Sequence, residues 1–223
     1  RHEGGDNSSR PIVNSGSQVF VSPKDHREHG SKLTDITLVH HNKKESYLSL
    51  KYSSTLTFVN SGVSKIFPET EIKKGSISSP VGKAIMSAFG IDELLFCNVF
   101  NDYGKGTRHA TGVNVSSKID RNALKLFLST AIGSDYWMIH GMDGGKIWSW
   151  YMDPSKNNTM STISGPIIID YGGSSGTGKR VNISFSNSFF DFTVNIRNKQ
   201  SGRYPSHIMC DYKSKPATGK KLL

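Results

Sequence analysis

Cysteine is almost absent. Cys97 and Cys210 are the only two in 223 residues, and both sit in apolar runs, Leu95-Phe96-Cys97 and Ile208-Met209-Cys210. Two isolated thiols exclude a disulfide framework. They fit buried, reduced side chains in a reducing compartment such as the cytoplasm of a bacterial or phage-infected cell. With no cysteine pair, His40, His41, His109, His140 and His207 fall in no zinc-ligand spacing, and His26-Arg27-Glu28-His29 lacks the H-E-x-x-H pattern of a zinc protease. Long apolar runs are also lacking: none approaches the roughly 18 residues of a helical membrane span, and no secretory leader is recognisable, so a membrane is not expected among the partners.

Acidic side chains are scarce relative to basic ones. Lys plus Arg number 28 against 18 Asp plus Glu, a formal charge of +10 spread over most segments. Such a field draws in polyanions, nucleic acid first. Residues 1–16 are Gly, Ser, Asn and charge with almost no apolar content, which cannot repay the entropy of ordering, and they are read as a flexible arm. A single domain is expected over residues 17–215, with a basic tail over 216–223.

Two helices are well punctuated. In the first, Ser79 caps, Pro80 suits the first helical position, Val81, Ala84, Ile85, Ala88 and Phe89 make a face, and Gly90 terminates. In the second, Asp120 is the N-cap, Leu124, Phe127, Leu128, Ala131 and Ile132 form the stripe, and Gly133 ends it. Strand-like runs follow at 136–140, 146–151, 163–171, 180–185, 189–196 and 208–212, separated by Gly, Asn, Pro or Ser turns. The fold class expected is α+β, a mixed and mostly antiparallel sheet flanked by helices.

Near the N-terminus, Thr34-Asp35-Ile36-Thr37-Leu38 and Ser46-Tyr47-Leu48-Ser49-Leu50-Lys51 alternate polar and apolar residues at period 2 around the turn-like His40-His41-Asn42-Lys43-Lys44. They read as a β-hairpin that brings Asp35 near Ser49 and Lys51. Hydrolysis of a phosphodiester needs a divalent metal to activate water, and a lysine beside that water can orient it or stabilise the transition state. On these residues the stretch resembles the PD-(D/E)XK nuclease superfamily, which pairs an aspartate on one strand with an acid-X-lysine on the next. Asp35 matches the first position and Lys51 the last, while Ser49 replaces the second acid. The resemblance implies a restriction-endonuclease-like fold and a DNA endonuclease of the restriction or homing type. It also implies Mg²⁺ or Mn²⁺ held by Asp35 with Glu28 as the rescuing carboxylate, catalysis by Asp35, Lys51 and Ser49, and a homodimer where both strands are cut.

Two basic loops are expected to meet the nucleic acid. Gly173-Ser174-Ser175-Gly176-Thr177-Gly178-Lys179 has phosphate-loop spacing, but Arg180 replaces the magnesium-binding Ser or Thr and the chain continues as strand. It reads as a glycine-rich hairpin loop whose Lys179 and Arg180 reach the backbone phosphates. The segment 195–207 is rich in Arg, Asn, Gln and Lys, the side chains that read base edges and grip phosphates, and Arg197, Asn198, Lys199, Gln200 and Arg203 are the candidates there. A non-catalytic nucleic-acid-binding or phage-structural protein is the alternative, with Ser49 marking a lost active site. A glycan-binding β-rich module is a third reading, suited to the Trp and Asn content but not to the charge.

Overall fold

The computed structural model describes residues 12–15, 18–21, 35–52, 56–142, 145–178, 180–198, 202–214 and 220–221. The first two strands, β1 (Ile12–Ser15) and β2 (Gln18–Val21), pair as a hairpin, so the end of the stretch read as an arm carries a strand. β3 (Ile36–Val39) and β4 (Glu45–Tyr52) form the expected antiparallel hairpin, with Ile36 opposite Leu48. Lys43 turns the corner in the left-handed region at φ 62°, and its N–H donates to the carbonyl of His40. β5 (Leu56–Gly62) follows at once but belongs to a different sheet.

Five helices among the described residues lie between positions 69 and 160. They are α1 (Glu69–Lys74), α2 (Pro80–Phe89), α3 (Glu93–Asn101), α4 (Arg121–Ile132) and α5 (Pro154–Met160). α2 and α4 start and stop as the sequence predicts: Ser79 Oγ accepts from Gly82 N, Asp120 accepts from the N–H groups of Asn122 and Ala123, and Gly90 closes α2 at φ 64°. Gly82 is there because a side chain does not fit. A Cβ would stand 2.8 Å from Ile77 and 3.0 Å from the carbonyl of Ile66. α5 completes α4, since Asn157 Nδ2 donates to the carbonyls of Ser129 and Gly133 at its end. Among the described residues no single helix is long and apolar enough to cross a membrane.

The remaining strands are β6 (Val113–Asn114), β7 (Tyr136–Met142), β8 (Lys146–Met152), β9 (Ser164–Tyr171), β10 (Arg180–Ser186), β11 (Phe190–Arg197), β12 (His207–Ser214) and β13 (Lys220–Lys221). They divide between two sheets where one was expected. A six-stranded antiparallel sheet runs β5-β12-β11-β10-β9-β6, and a five-stranded mixed sheet runs β13-β8-β7-β4-β3 with β4 and β7 parallel. The protein is therefore α+β, with an antiparallel and a mixed sheet flanked by helices. β13 brings Lys220 and Lys221, in the segment read as a tail, to the edge of β8.

Period-2 alternation assigns the faces of the six-stranded sheet. Val181, Ile183 and Phe185 on β10, and Phe190, Phe192, Val194 and Ile196 on β11, are buried, and α3 packs against β9 and β10. Phe58 stacks on Tyr212 at 3.8 Å and 14°, with Phe190 edge-on to both. From the mixed sheet, Met138 meets the same group, its sulfur accepting from the Tyr212 hydroxyl at 3.4 Å. One apolar cluster thus spans both sheets and the helices between them.

Candidate functional site

The mixed sheet gathers the residues that the sequence singled out. One step beyond the Ile36–Leu48 pair, Asp35 stands across from Ser49; its N–H donates to the Leu48 carbonyl at 3.0 Å. Its side chain then turns inward, and Oδ2 accepts from Leu50 N at 2.6 Å, replacing the ladder acceptor that β3 no longer provides. The carboxylate is thereby fixed against β4. Lys51 follows Ser49 by two residues and points to the same face, half-buried. The expected grouping of Asp35, Ser49 and Lys51 is present.

Pairing with β7 adds residues that sequence reading did not place. Lys51 lies beside His140 in the parallel register, and His140 lies opposite Trp148 on β8. His140 is buried and its ring lies 6.1 Å from that of Trp150 at 30°. Thr37 Oγ1, Ser49 Oγ and Trp150 Nε1 are buried on this face without a hydrogen-bond partner. Each orphaned buried group costs on the order of 1–3 kcal/mol unless a water or ligand completes it. Parallel pairing between strands about ninety positions apart leaves no local trace, and the mutual position of Lys51 and His140 could not be read from the sequence.

The donor set bears on the metal that the resemblance implies. Among the described residues no group of three or more His, Cys, Asp or Glu side chains surrounds a common point. Asp35 is the described carboxylate of the cluster, and one of its oxygens is already engaged. Ser49, at 0% exposure, offers an uncharged hydroxyl shut off from solvent. Magnesium takes one or two carboxylates and completes its shell with water and substrate oxygens, so these residues meet only the lower limit. Glu28, expected as the second carboxylate, lies outside the described residues.

The basic loops divide. Arg180 and Arg197 are opposite each other on β10 and β11, two cations at one end of the open face of the six-stranded sheet. Asn198 is buried and its amide donates to the carbonyl of Gly202, closing the loop from within. Arg203 gives Nε to the Phe100 carbonyl at 3.0 Å and Nη2 to that of Asn101, so it holds the C-terminal end of α3. Asn198 and Arg203, both expected to meet DNA, thus each make hydrogen bonds within the protein. Lys179, Lys199 and Gln200 lie outside the described residues.

The glycine-rich segment is the hairpin loop the sequence suggested. β9 and β10 pair antiparallel across it, and Gly172, at φ 79°, packs so closely that a Cβ would meet the Gly176 carbonyl oxygen at 2.6 Å. The preceding segment clamps it: His109 N donates to Gly176 O at 2.7 Å and Arg108 Nη1 to Ser175 O at 2.8 Å. No helix starts here, so no helix dipole faces a phosphate.

The outer face of the six-stranded sheet forms a cleft of about 600 Å³, lined by Arg180, Asn182, Ser184, Thr193, Asn195 and Asp211 among others. Thr57 Oγ1 donates to Asp211 Oδ1 at 2.6 Å and Asn195 Nδ2 to Asp211 Oδ2 at 3.0 Å. Its signal in the sequence was the recurring Val-Asn pair at 181–182 and 194–195, each Asn set on the outer face by its buried Val neighbour. Comparison with family models, curated proteins and solved structures finds no match to this chain.

Proposed function

We propose that the chain is a metal-dependent endonuclease that hydrolyses DNA phosphodiester bonds, with a restriction-endonuclease-like arrangement of its mixed sheet. The observation that carries this reading is the fixed position of Asp35, pinned by Leu50 N–H across from Ser49, with Lys51 two residues along the same strand face. A bound Mg²⁺ or Mn²⁺ would supply charge neutralisation and an activated water. The protein's own share is positional. Asp35 would help hold the cation, and the Lys51 ammonium would orient the attacking water and offset charge gathering on the phosphate. Neighbouring strands of one sheet keep these groups in register without a mobile loop. The net charge of +10 favours the encounter with DNA, and more so at low salt.

The test is incubation of supercoiled plasmid at low salt with magnesium, manganese or EDTA, using the native chain, Asp35→Asn and Lys51→Ala. Metal-dependent cutting is expected, with a loss of about 10²–10³-fold in rate for Lys51→Ala, the size of effect seen when one charge-stabilising donor is removed. Linear product would indicate paired copies cutting both strands, and open circles a single active copy. Intact plasmid under all three conditions overturns the reading. The seclusion of Ser49 favours a second one, a nucleic-acid-binding protein without catalysis. On that reading gel shifts persist in EDTA and the plasmid stays whole.

A further inference from the structure

The exposed apolar side chains of the protein are gathered in one place. Of the large ones exposed among the described residues, all but Leu94 stand on β3, β4, β7 and β8 of the mixed sheet. In register, Ile36 lies beside Leu48, Leu48 beside Trp137 and Trp137 beside Tyr151, one row across four strands. Leu50 and Ile139 begin the next row. Beyond it the Tyr52 ring lies over Gly141, on which a Cβ would stand 3.1 Å from Tyr52 Cδ2. Ser49 and Lys51 alternate with these residues and belong to the opposite face, so the nuclease reading leaves this one unused.

Charge and area narrow what covers it. No position that alternation turns to this face on the four strands is Asp, Glu, Lys or Arg, although 21% of the chain is charged. A polyanion is held by lysine and arginine, so this face is not made for nucleic acid. A second copy of the chain brings the same +10, and a face free of charge is where two such copies meet without repulsion or buried ions. Interface centres are poor in charge and rich in Trp and Tyr, and the Trp137 and Tyr151 rings stand here with centroids 5.3 Å apart. Four strands about 4.8 Å apart, with about three outward side chains spaced roughly 6.8 Å along each, cover on the order of 400 Å². A standard interface takes about 800 Å² from each partner, a little over half of it apolar. The face therefore supplies the apolar centre of such an interface. The β3–β4 turn supplies part of a polar rim, with Ser46 Oγ and His40 Nε2 bonded at 2.8 Å and Lys43 and Lys44 exposed.

We propose that the outer face of the mixed sheet is the interface of a symmetric homodimer, in which a second copy lays its own Leu50, Tyr52, Trp137 and Tyr151 against those of the first. The same patch serves both copies, so the contact closes at two and does not propagate. The inference does not rest on the nuclease reading, and it leaves the face that carries Ser49 and Lys51 untouched.

The experiment is sedimentation velocity of the full chain over a range of concentrations, in EDTA and without nucleic acid, at low and at high salt. A reversible dimer is expected, tighter at high salt because screening reduces the repulsion between two positively charged copies. Association bridged by a contaminating polyanion would instead weaken with salt. Tyr151→Lys and Leu38→Lys each set like charges against each other across the two-fold axis, and each should raise the dimer dissociation constant by about 10²-fold. Ser184→Lys adds the same charge to the outer face of the other sheet and should leave that constant unchanged. All three positions are at least partly open to solvent, and thermal melting checks that each variant keeps its fold. Should one of the two interface variants unfold, the other decides. A monomer at every concentration overturns the inference and leaves the face to a partner of another kind. Assembly beyond two copies, association that weakens with salt, a dimer indifferent to the interface lysines, or one weakened equally by Ser184→Lys overturns it as well. A dimer of a chain that never cuts keeps the interface and removes the nuclease, and a monomer that cuts does the reverse.

Discussion

The two sheets differ in how much polarity they turn toward the core. In the six-stranded sheet the side toward the helices is Val, Ile, Phe and Tyr, while Arg180, Asn182, Ser184 and Thr193 face outward, the usual pattern of an antiparallel sheet with one wet side. In the mixed sheet Thr37, Ser49 and His140 face inward among Tyr136, Met138, Trp150 and Met152, and Leu38, Leu50, Tyr52, Trp137 and Tyr151 lie outward at 39–75% exposure. The first arrangement is what stability alone would select. The second mixes polar atoms into an apolar inner face, and Asp35 and Lys51 belong to that same sheet.

Truncating the core of the regular sheet should cost most. Phe58→Ala removes the ring stacked between Tyr212 and Phe190, and a loss of about 3–5 kcal/mol in unfolding free energy is expected from urea titration. A loss under about 1 kcal/mol would mean that the inner face is loosely packed and the contrast between the sheets is overstated.

Alkali should act on the same face. Burial, with Glu93 and Glu71 adding to it, pushes the Cys97 thiol from 9.0 up to about 11, and burial pushes Cys210 higher still and Tyr212 well above its ordinary value. In each case the folded state favours the protonated form. The stabilisation is complete below the unfolded thiol value and is lost as pH rises from 9.0 towards about 11. Urea midpoints should fall steadily across that window, and a flat profile would contradict burial of the thiols.

The smallest effect is expected in the mixed sheet. Ser49→Ala deletes a buried hydroxyl that has no partner, so the fold should hold or gain about 1 kcal/mol, with cleavage reduced only if that hydroxyl serves the reaction. A clear loss of stability would show that the hydroxyl is satisfied in solution and that the mixed sheet follows the same rule as the other.

Legibility in the sequence followed the range of the interactions. Ser79, Pro80 and Gly90 declared α2, and Asp120 and Gly133 declared α4, because caps act within one turn. The β3–β4 hairpin was readable from alternation around a short turn, and with it the neighbourhood of Asp35, Ser49 and Lys51. α3 was not recognised: Leu94 to Phe100 is apolar nearly all round, and its Asp92 cap, accepting from Leu95 N, was the signal to heed. The division into two sheets was hidden because both are built from similar short strands, and only the pairing of β5 with β12 and of β4 with β7 separates them.

The pairing of β5 has a consequence for how the chain acquires its shape. Thr57 is bonded to Asp211, 154 positions later, and among the described strands β12 is the sole ladder partner of β5. A growing polypeptide emerging from the ribosome would carry β5 as an unsatisfied edge for seconds to tens of seconds, at ordinary synthesis rates of about 5–20 residues per second. The closing step is therefore non-local and slow. During that interval an exposed strand containing Val59-Asn60-Ser61 is open to the wrong partner, and the yield of folded protein should depend on how fast the last third of the chain arrives.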